Sequence, residues 1–166
     1  MKQGYVQVYT GDGKGKTTAA VGLAMRAAAA GLRVYFCQFM KYGPTGELDA
    51  FRLFGDRIVA EQFGTGGELS APDPEDDAQA ARRGLAAARA FDVVVLDEAN
   101  VADSLGYFEP DALVDLALER PETVELVVTG RGASGTLMAV ADLVTEMREV
   151  KHYYEEGVIA RRGIEF

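Results

Sequence analysis

The nine residues Thr10-Gly11-Asp12-Gly13-Lys14-Gly15-Lys16-Thr17-Thr18 constrain this chain more than any other stretch. An apolar-alternating run, Tyr5-Val6-Gln7-Val8-Tyr9, precedes them, and Ala19-Ala20-Val21-Gly22-Leu23-Ala24-Met25 follows with the composition of a helix. Strand, glycine loop, helix is the arrangement in which backbone N–H groups turn inward around phosphate oxygens. The helix start adds its free N–H groups and the positive end of its dipole. Lys16 supplies a point charge to the phosphates, and Thr17 a hydroxyl for a bridging Mg²⁺. Thr10 stands where the general pattern G-x-x-x-x-G-K-[ST] has its first glycine.

The spacing beyond the loop predicts a chain that alternates strands and helices. Helix 1 is expected to end at Ala30 before Gly31, and Arg33 to Phe39 reads as a second, parallel strand carrying the single cysteine, Cys37, as a buried thiol. Met40 to Gly46 is rich in turn formers and follows a strand's C-terminal end, where open α/β sheets place ligands. Lys41 and Tyr42 are within reach of a bound molecule there, or belong to a solvated connection. A helix from Glu47 to Phe54 and a strand around Ile58 to Glu61 follow, then a glycine-dense segment from Gln62 to Leu69. Asp73-Pro74-Glu75-Asp76 starts a helix that runs on through Ala78, Ala81, Leu85 and Ala88.

Phe91 to Glu98 is the second informative stretch. Its four consecutive apolar residues suit a central parallel strand, and it ends in two carboxylates, Asp97 and Glu98, the Walker-B arrangement for holding Mg²⁺ beside a phosphate loop. Which of the two ligates is left open. Further on, the pattern predicts a helix from Glu109 to Leu118, a strand from Val124 to Thr129 and a helix from Leu137 to Ala141, then an alternating edge strand from Leu143 to Val150. Arg131, in the turn after Thr129, is either a phosphate clamp or a solvated turn residue. The lone histidine, His152, is of a kind more often structural than catalytic.

The expected fold is therefore a P-loop α/β fold in layers, with a mainly parallel central sheet of about six strands in a single domain over residues 1–166. A net charge of -9 argues against nonspecific binding to nucleic acid or anionic membrane. No apolar run reaches membrane-spanning length, and strand-like sequence within four residues of Met1 leaves no room for a signal peptide, so a cytoplasmic location is expected.

Together these stretches resemble the ATP:corrinoid adenosyltransferases of the P-loop type, and the resemblance implies the RecA-like three-layer fold of P-loop NTPases. The family's loop is similar to Thr-Gly-Asn-Gly-Lys-Gly-Lys-Thr-Thr-Ala-Ala, matched from Thr10 to Ala20 with Asp12 in place of Asn, and it too lacks the first glycine. Leu96-Asp97-Glu98, Thr129-Gly130-Arg131-Gly132, Ala141 to Glu146 and Val150-Lys151-His152 resemble family motifs in the same order. The resemblance implies transfer of the 5′-deoxyadenosyl group of ATP to the Co(I) of a reduced corrinoid, with release of triphosphate. It implies that Gly11, Asp12, Gly13, Lys14, Gly15, Lys16, Thr17 and Thr18 hold the phosphates, and that Mg²⁺ or Mn²⁺ is held by Thr17 and Glu98, with Asp97 beside them. Lys16, Glu98 and Arg131 are the expected catalytic groups, and Arg26, Lys41 and His152 the further nucleotide or corrin contacts.

Reduced cobalt is a strong nucleophile, so this chemistry needs no Ser, Cys or general base. A reductase or flavodoxin-like electron donor is the implied partner, and a homodimer is common in the family, although no stretch here independently demands one. Some members carry an aromatic pair that covers the corrin face; Gly67 and Leu69 stand at those positions here, with Phe63 and Tyr42 the nearest aromatics. Two other readings fit a P-loop: a small-molecule kinase or ATPase, and a non-catalytic ATP-dependent corrinoid-binding module.

Overall fold

Alternating hydrophobic strands with covered faces on both sides must sit inside a layered α/β domain, and the chain does this. The structure, a computed structural model, describes residues 2–41, 43–63 and 90–165. The helix expected from Asp73, the glycine-dense segment from Gly64 onward and Tyr42 lie outside the described residues.

Six strands, β1 (Val6–Thr10), β2 (Val34–Phe39), β3 (Ile58–Phe63), β4 (Val93–Asp97), β5 (Glu125–Thr129) and β6 (Leu143–Glu146), form one sheet in the order β3-β2-β4-β5-β1-β6. Every pairing is parallel. The helices are α1 (Lys16–Ala29), α2 (Gly46–Arg52), α3 (Ala99–Ser104), α4 (Ala112–Glu119) and α5 (Gly135–Val140), with 3-10 turns at Gly55–Arg57 and Tyr153–Glu156.

The two faces follow from the period of two. Val34 and Phe36 of β2, Val93 and Val95 of β4 and Val127 of β5 pack with Ala20, Ala24, Ala27 and Ala28 of α1 and Phe51 of α2. Their neighbours Tyr35, Cys37 and Phe39, Val94 and Leu96, and Leu126 and Val128 face α3, α4 and α5 through Ala99, Leu113, Leu116 and Leu137. Alanines on α1 bring that helix close to the sheet. Each fully buried large side chain, Phe36 among them, contributes about 2 to 3 kcal/mol.

α1 closes on Gly31 at φ 92°, where the N–H groups of Gly31 and Leu32 reach the carbonyls of Ala28 and Ala27 at 3.0 Å. This is the glycine-terminated cap that the sequence pattern called for. Cys37 is buried, as expected.

Two expectations need correction, and one helix lies where none was expected. The last strand stops at Glu146 instead of Val150, and its four residues are all exposed. Its chain turns away because Met147 hydrogen-bonds the glycine loop: Met147 N–H reaches Thr10 O at 2.8 Å, and Gly13 N–H reaches Met147 O at 2.7 Å. The helix expected from Glu109 begins at Ala112, after Asp111 in the left-handed region at φ 64°. Helix α3, directly behind the two carboxylates, was not anticipated; it starts because Glu98 itself takes the left-handed conformation, φ 61°.

Candidate nucleotide site

The period that builds the core also aims polar side chains at one spot. Gln38, Asp97 and Thr129 are the last residues on the α1 face of three neighbouring strands, in phase with Phe36, Val95 and Val127, and all three are fully buried. Polar residues in phase with a core face were a signal in the sequence that pattern reading passed over for Gln38 and Thr129. They meet above the C-terminal edge of the sheet, where the N-terminus of α1 points.

Asp97 is the centre of this group. Its Oδ1 accepts hydrogen bonds from Thr17 Oγ1 at 2.9 Å and Thr129 Oγ1 at 2.7 Å; its Oδ2 accepts from Gln38 Nε2 at 3.2 Å and Lys41 Nζ at 3.1 Å. A buried carboxylate needs such partners. Lys41 and Gln38 also reach Glu47 Oε1, at 3.4 and 2.9 Å. Burial pushes the Lys41 ammonium down, but Asp97 and Glu47 outweigh it and hold the group above its ordinary value. Burial likewise pushes Glu47 up, against which the Gln38 amide and Lys41 bring its carboxyl below the usual range.

Glu98 faces the cavity beside this group. Burial, and then the neighbouring Asp97 charge, raise its carboxyl above the ordinary value. Its backbone N–H donates to Thr129 Oγ1 at 3.1 Å. A continuous relay thus runs from Glu98 N–H through the Thr129 hydroxyl to Asp97 and the Thr17 hydroxyl.

The glycine loop arches over it. Lys16 is buried, its Nζ donating to the Gly11 carbonyl at 2.6 Å and the Gly13 carbonyl at 2.8 Å, and burial pushes its ammonium below the ordinary value. Gly11 and Gly13 have a second reason to be glycine. A Cβ at either would come within 2.9 Å of the backbone of Met147 or Arg148, so the chain after β6 lies against the loop only because no side chain intervenes. Thr10 pairs with Glu146 as the last residue of β1, and its Oγ1 accepts the Ala133 N–H at 3.2 Å. A glycine there would forgo this tie between the loop and the turn after β5.

These elements line an open cavity of about 1000 Å³. Asp12 to Thr18, Lys41, Glu98, Arg131 and His152 all line it; so do Glu47 and Gly163 to Glu165, which sequence reasoning did not single out. Arg131 is held over the loop by hydrogen bonding to the Asp12 carbonyl at 3.2 Å and lies 3.9 Å from its carboxylate. His152 Nδ1 accepts the Tyr154 N–H at 3.1 Å, capping the turn that follows. Gly11 contributes its carbonyl to Lys16 behind the cavity wall. Arg26 is not brought to the cavity; it sits exposed on the last turn of α1, roughly 15 Å along the helix from Lys16. Phe63 stacks on Phe39, ring centroids 6.0 Å apart, in the partly buried margin of the core, while Gly67 and Leu69 fall outside the described residues.

Among the described residues no cluster of three His, Cys, Asp or Glu side chains forms a metal site. A cation here would draw on a hydroxyl, a carboxylate, phosphate oxygens and water, the hard oxygen set that Mg²⁺ takes. The Thr17 hydroxyl and the Glu98 carboxylate fit that set. Both oxygens of Asp97 already have two protein donors each.

Among the described residues, no helix is long and apolar enough to cross a membrane. By fold, the chain is similar to a KaiC-like protein from the hyperthermophilic archaeon Pyrococcus horikoshii OT3, with a TM-score of 0.57 at 15% identity over 90% of this chain and 75% of that one. By sequence it is 38% identical to a corrinoid adenosyltransferase of Pseudomonas aeruginosa, across 99% of this chain and 85% of the relative. It is 34% identical to one of Escherichia coli K12 and 33% identical to the corrinoid adenosyltransferase CobA of Salmonella typhimurium, each across 99% of this chain and 87% of the relative. Neither the kinase nor the non-catalytic reading is favoured by these relatives. Residues 2–166 match the family described as ATP:corrinoid adenosyltransferase BtuR/CobO/CobP, and the chain belongs to that family.

Proposed function

We infer that this chain transfers the 5′-deoxyadenosyl group of ATP to the Co(I) of a reduced corrinoid and releases triphosphate. The observation that carries the reading is the Lys16–Thr17–Asp97 arrangement under the glycine loop, at one end of a cavity of about 1000 Å³, in a chain of the adenosyltransferase family. In the reaction the cobalt electron pair forms a bond to C5′ as the C5′–O5′ bond breaks, and the leaving oxygen's charge passes to the triphosphate. The protein has no proton to remove from the nucleophile. Its work is alignment and the neutralisation of the leaving group.

In this proposal, residues 11–18 hold the triphosphate through backbone N–H groups, with Lys16 exchanging its loop carbonyls for phosphate oxygens. Thr17 and Glu98 hold Mg²⁺, which supplies positive charge to the phosphates when bound; Asp97, with its oxygens taken by protein donors, orients the Thr17 hydroxyl. Arg131 adds charge from the turn after β5, while Lys41 and His152 contact nucleotide or corrin from the cavity wall. A single domain over 1–166, a cytoplasmic location, a homodimer and a reductase or flavodoxin-like donor that takes Co(II) to Co(I) complete the proposal.

Incubation with ATP, Mg²⁺ and chemically reduced cobalamin tests it. The expected products are a light-sensitive alkylcobalamin and triphosphate in equal amounts. ADP and phosphate without an alkylated corrinoid would overturn the proposal.

A further inference from the structure

The segment 152–165 forms one wall of the cavity, yet none of its residues is buried. Hydrophobic burial therefore does not hold it in place, and a segment with so little packing opens at small cost unless polar contacts fasten it. The contacts converge on Glu165. Its Oε1 accepts from Lys14 Nζ at 2.9 Å and from the Tyr153 hydroxyl, and its Oε2 accepts from Arg161 N–H at 2.7 Å. The Arg161 guanidinium closes the loop on the same carboxylate, with Nη2 3.2 Å from Oε1. Lys14 belongs to the glycine loop, and its Nζ also reaches the Tyr153 hydroxyl at 3.1 Å and the Ile164 carbonyl at 3.4 Å. Both cations lie over the Tyr153 ring, at 5.8 and 5.2 Å from its centroid.

We propose that Glu165 is a positioning residue for the nucleotide: it clasps the segment 152–165 to Lys14 and so keeps the wall of the cavity and the glycine loop in one fixed relation. It acts through Lys14 and Tyr153, which reach the loop, and need not touch the nucleotide. This rests on the nucleotide reading of the cavity and adds to it a residue far from the phosphate motifs in the sequence. The sign of the effect identifies the role. A carboxylate beside a triphosphate repels it, so if Glu165 were only a charge in the wall, its neutralisation would tighten ATP binding. If it is the clasp, neutralisation frees the wall and weakens binding.

The test is ATP titration of the whole chain by calorimetry with Mg²⁺ present, together with steady-state kinetics and amide hydrogen exchange, on wild type, Glu165→Gln, Glu165→Asp and Lys16→Ala. For Glu165→Gln an increase of about fivefold in the ATP dissociation constant and in KM is expected, with kcat reduced less than about twofold. Exchange across 152–165 should accelerate, and Glu165→Asp, which keeps the charge, should recover part of the affinity. Unchanged or tighter ATP binding by Glu165→Gln, at unaltered thermal stability, would overturn the inference. Wild type that binds no ATP, or Lys16→Ala that binds it as wild type does, would instead overturn the nucleotide reading.

Discussion

Thr129→Val separates the polar relay from the packing around it. Valine matches threonine in volume, so no cavity forms, and the change removes one hydroxyl that is fully buried. That hydroxyl donates to the Asp97 carboxylate at 2.7 Å and accepts the Glu98 N–H at 3.1 Å. A hydrogen bond to a charged group contributes about 1.5 to 3 kcal/mol, and an N–H left buried without a partner costs about 1 to 3 kcal/mol. The two do not add fully. Glu98 sits in the left-handed region at φ 61°, a conformation that costs about 1 kcal/mol or more, and its release would return part of the loss. The expected destabilisation is about 3 kcal/mol.

In urea unfolding, with a slope of about 2 kcal/mol/M, this corresponds to a midpoint lower by about 1.5 M. Thr129→Ser keeps the hydroxyl and should stay within about 1 kcal/mol of wild type. Because Asp97 also holds Thr17, the valine variant should bind ATP with Mg²⁺ about tenfold more weakly at a temperature where it is fully folded. A valine variant within about 0.5 kcal/mol of wild type, with undiminished ATP affinity, would refute the relay as the element that orients the site.

Lys16→Ala should lose at least about a hundredfold in ATP affinity by calorimetry, since it removes the one ammonium held inside the loop. Gly13→Ala should lower both stability and ATP binding, because its Cβ would lie 2.7 Å from the backbone of Arg148 and Met147; Gly22→Ala, where nothing lies within 4 Å, should be neutral or stabilising in the same thermal melt. Glu47 has a native carboxyl below its ordinary value, so its stabilising contribution is complete above roughly pH 4.5 and is lost as pH falls through the lowered native value; Glu47→Gln should flatten the stability profile in that acid window and not above it. Cys37 should resist a thiol reagent in the native protein and react once urea unfolds it.

The elements that the sequence made legible are those whose pattern is local. The strand–loop–helix at Thr10 to Thr18, the parallel strand ending in Asp97 and Glu98 and the Gly31 stop all depend on neighbours within a turn or two, and each stands where the spacing predicted. What escaped was set by partners distant along the chain. β6 ends at Glu146 because Met147 has found Thr10 and Gly13, and α3, where no helix was expected, follows a left-handed Glu98 whose amide Thr129 holds from another strand. At glycines 11 and 13 nothing local announces the chain that presses on them from residues 147 and 148. Gln38 and Thr129 were legible in principle, as polar residues in phase with a buried face, whereas the contacts at Glu165 join an exposed lysine of the glycine loop to a distant segment with which it shares no pattern.

Asp97, Lys16 and Lys41 share a property that bears on the chemistry. Asp97 has four donors, Lys16 is held by two carbonyls, and Lys41 spans two carboxylates. Groups tied this closely are poor proton carriers, because each transfer would break a hydrogen bond that the fold depends on. They are good at keeping charge in one place. An alkyl transfer to a nucleophile that brings its own electron pair asks for that and no more: positive charge where the triphosphate departs, and a carbon held in line with its attacker.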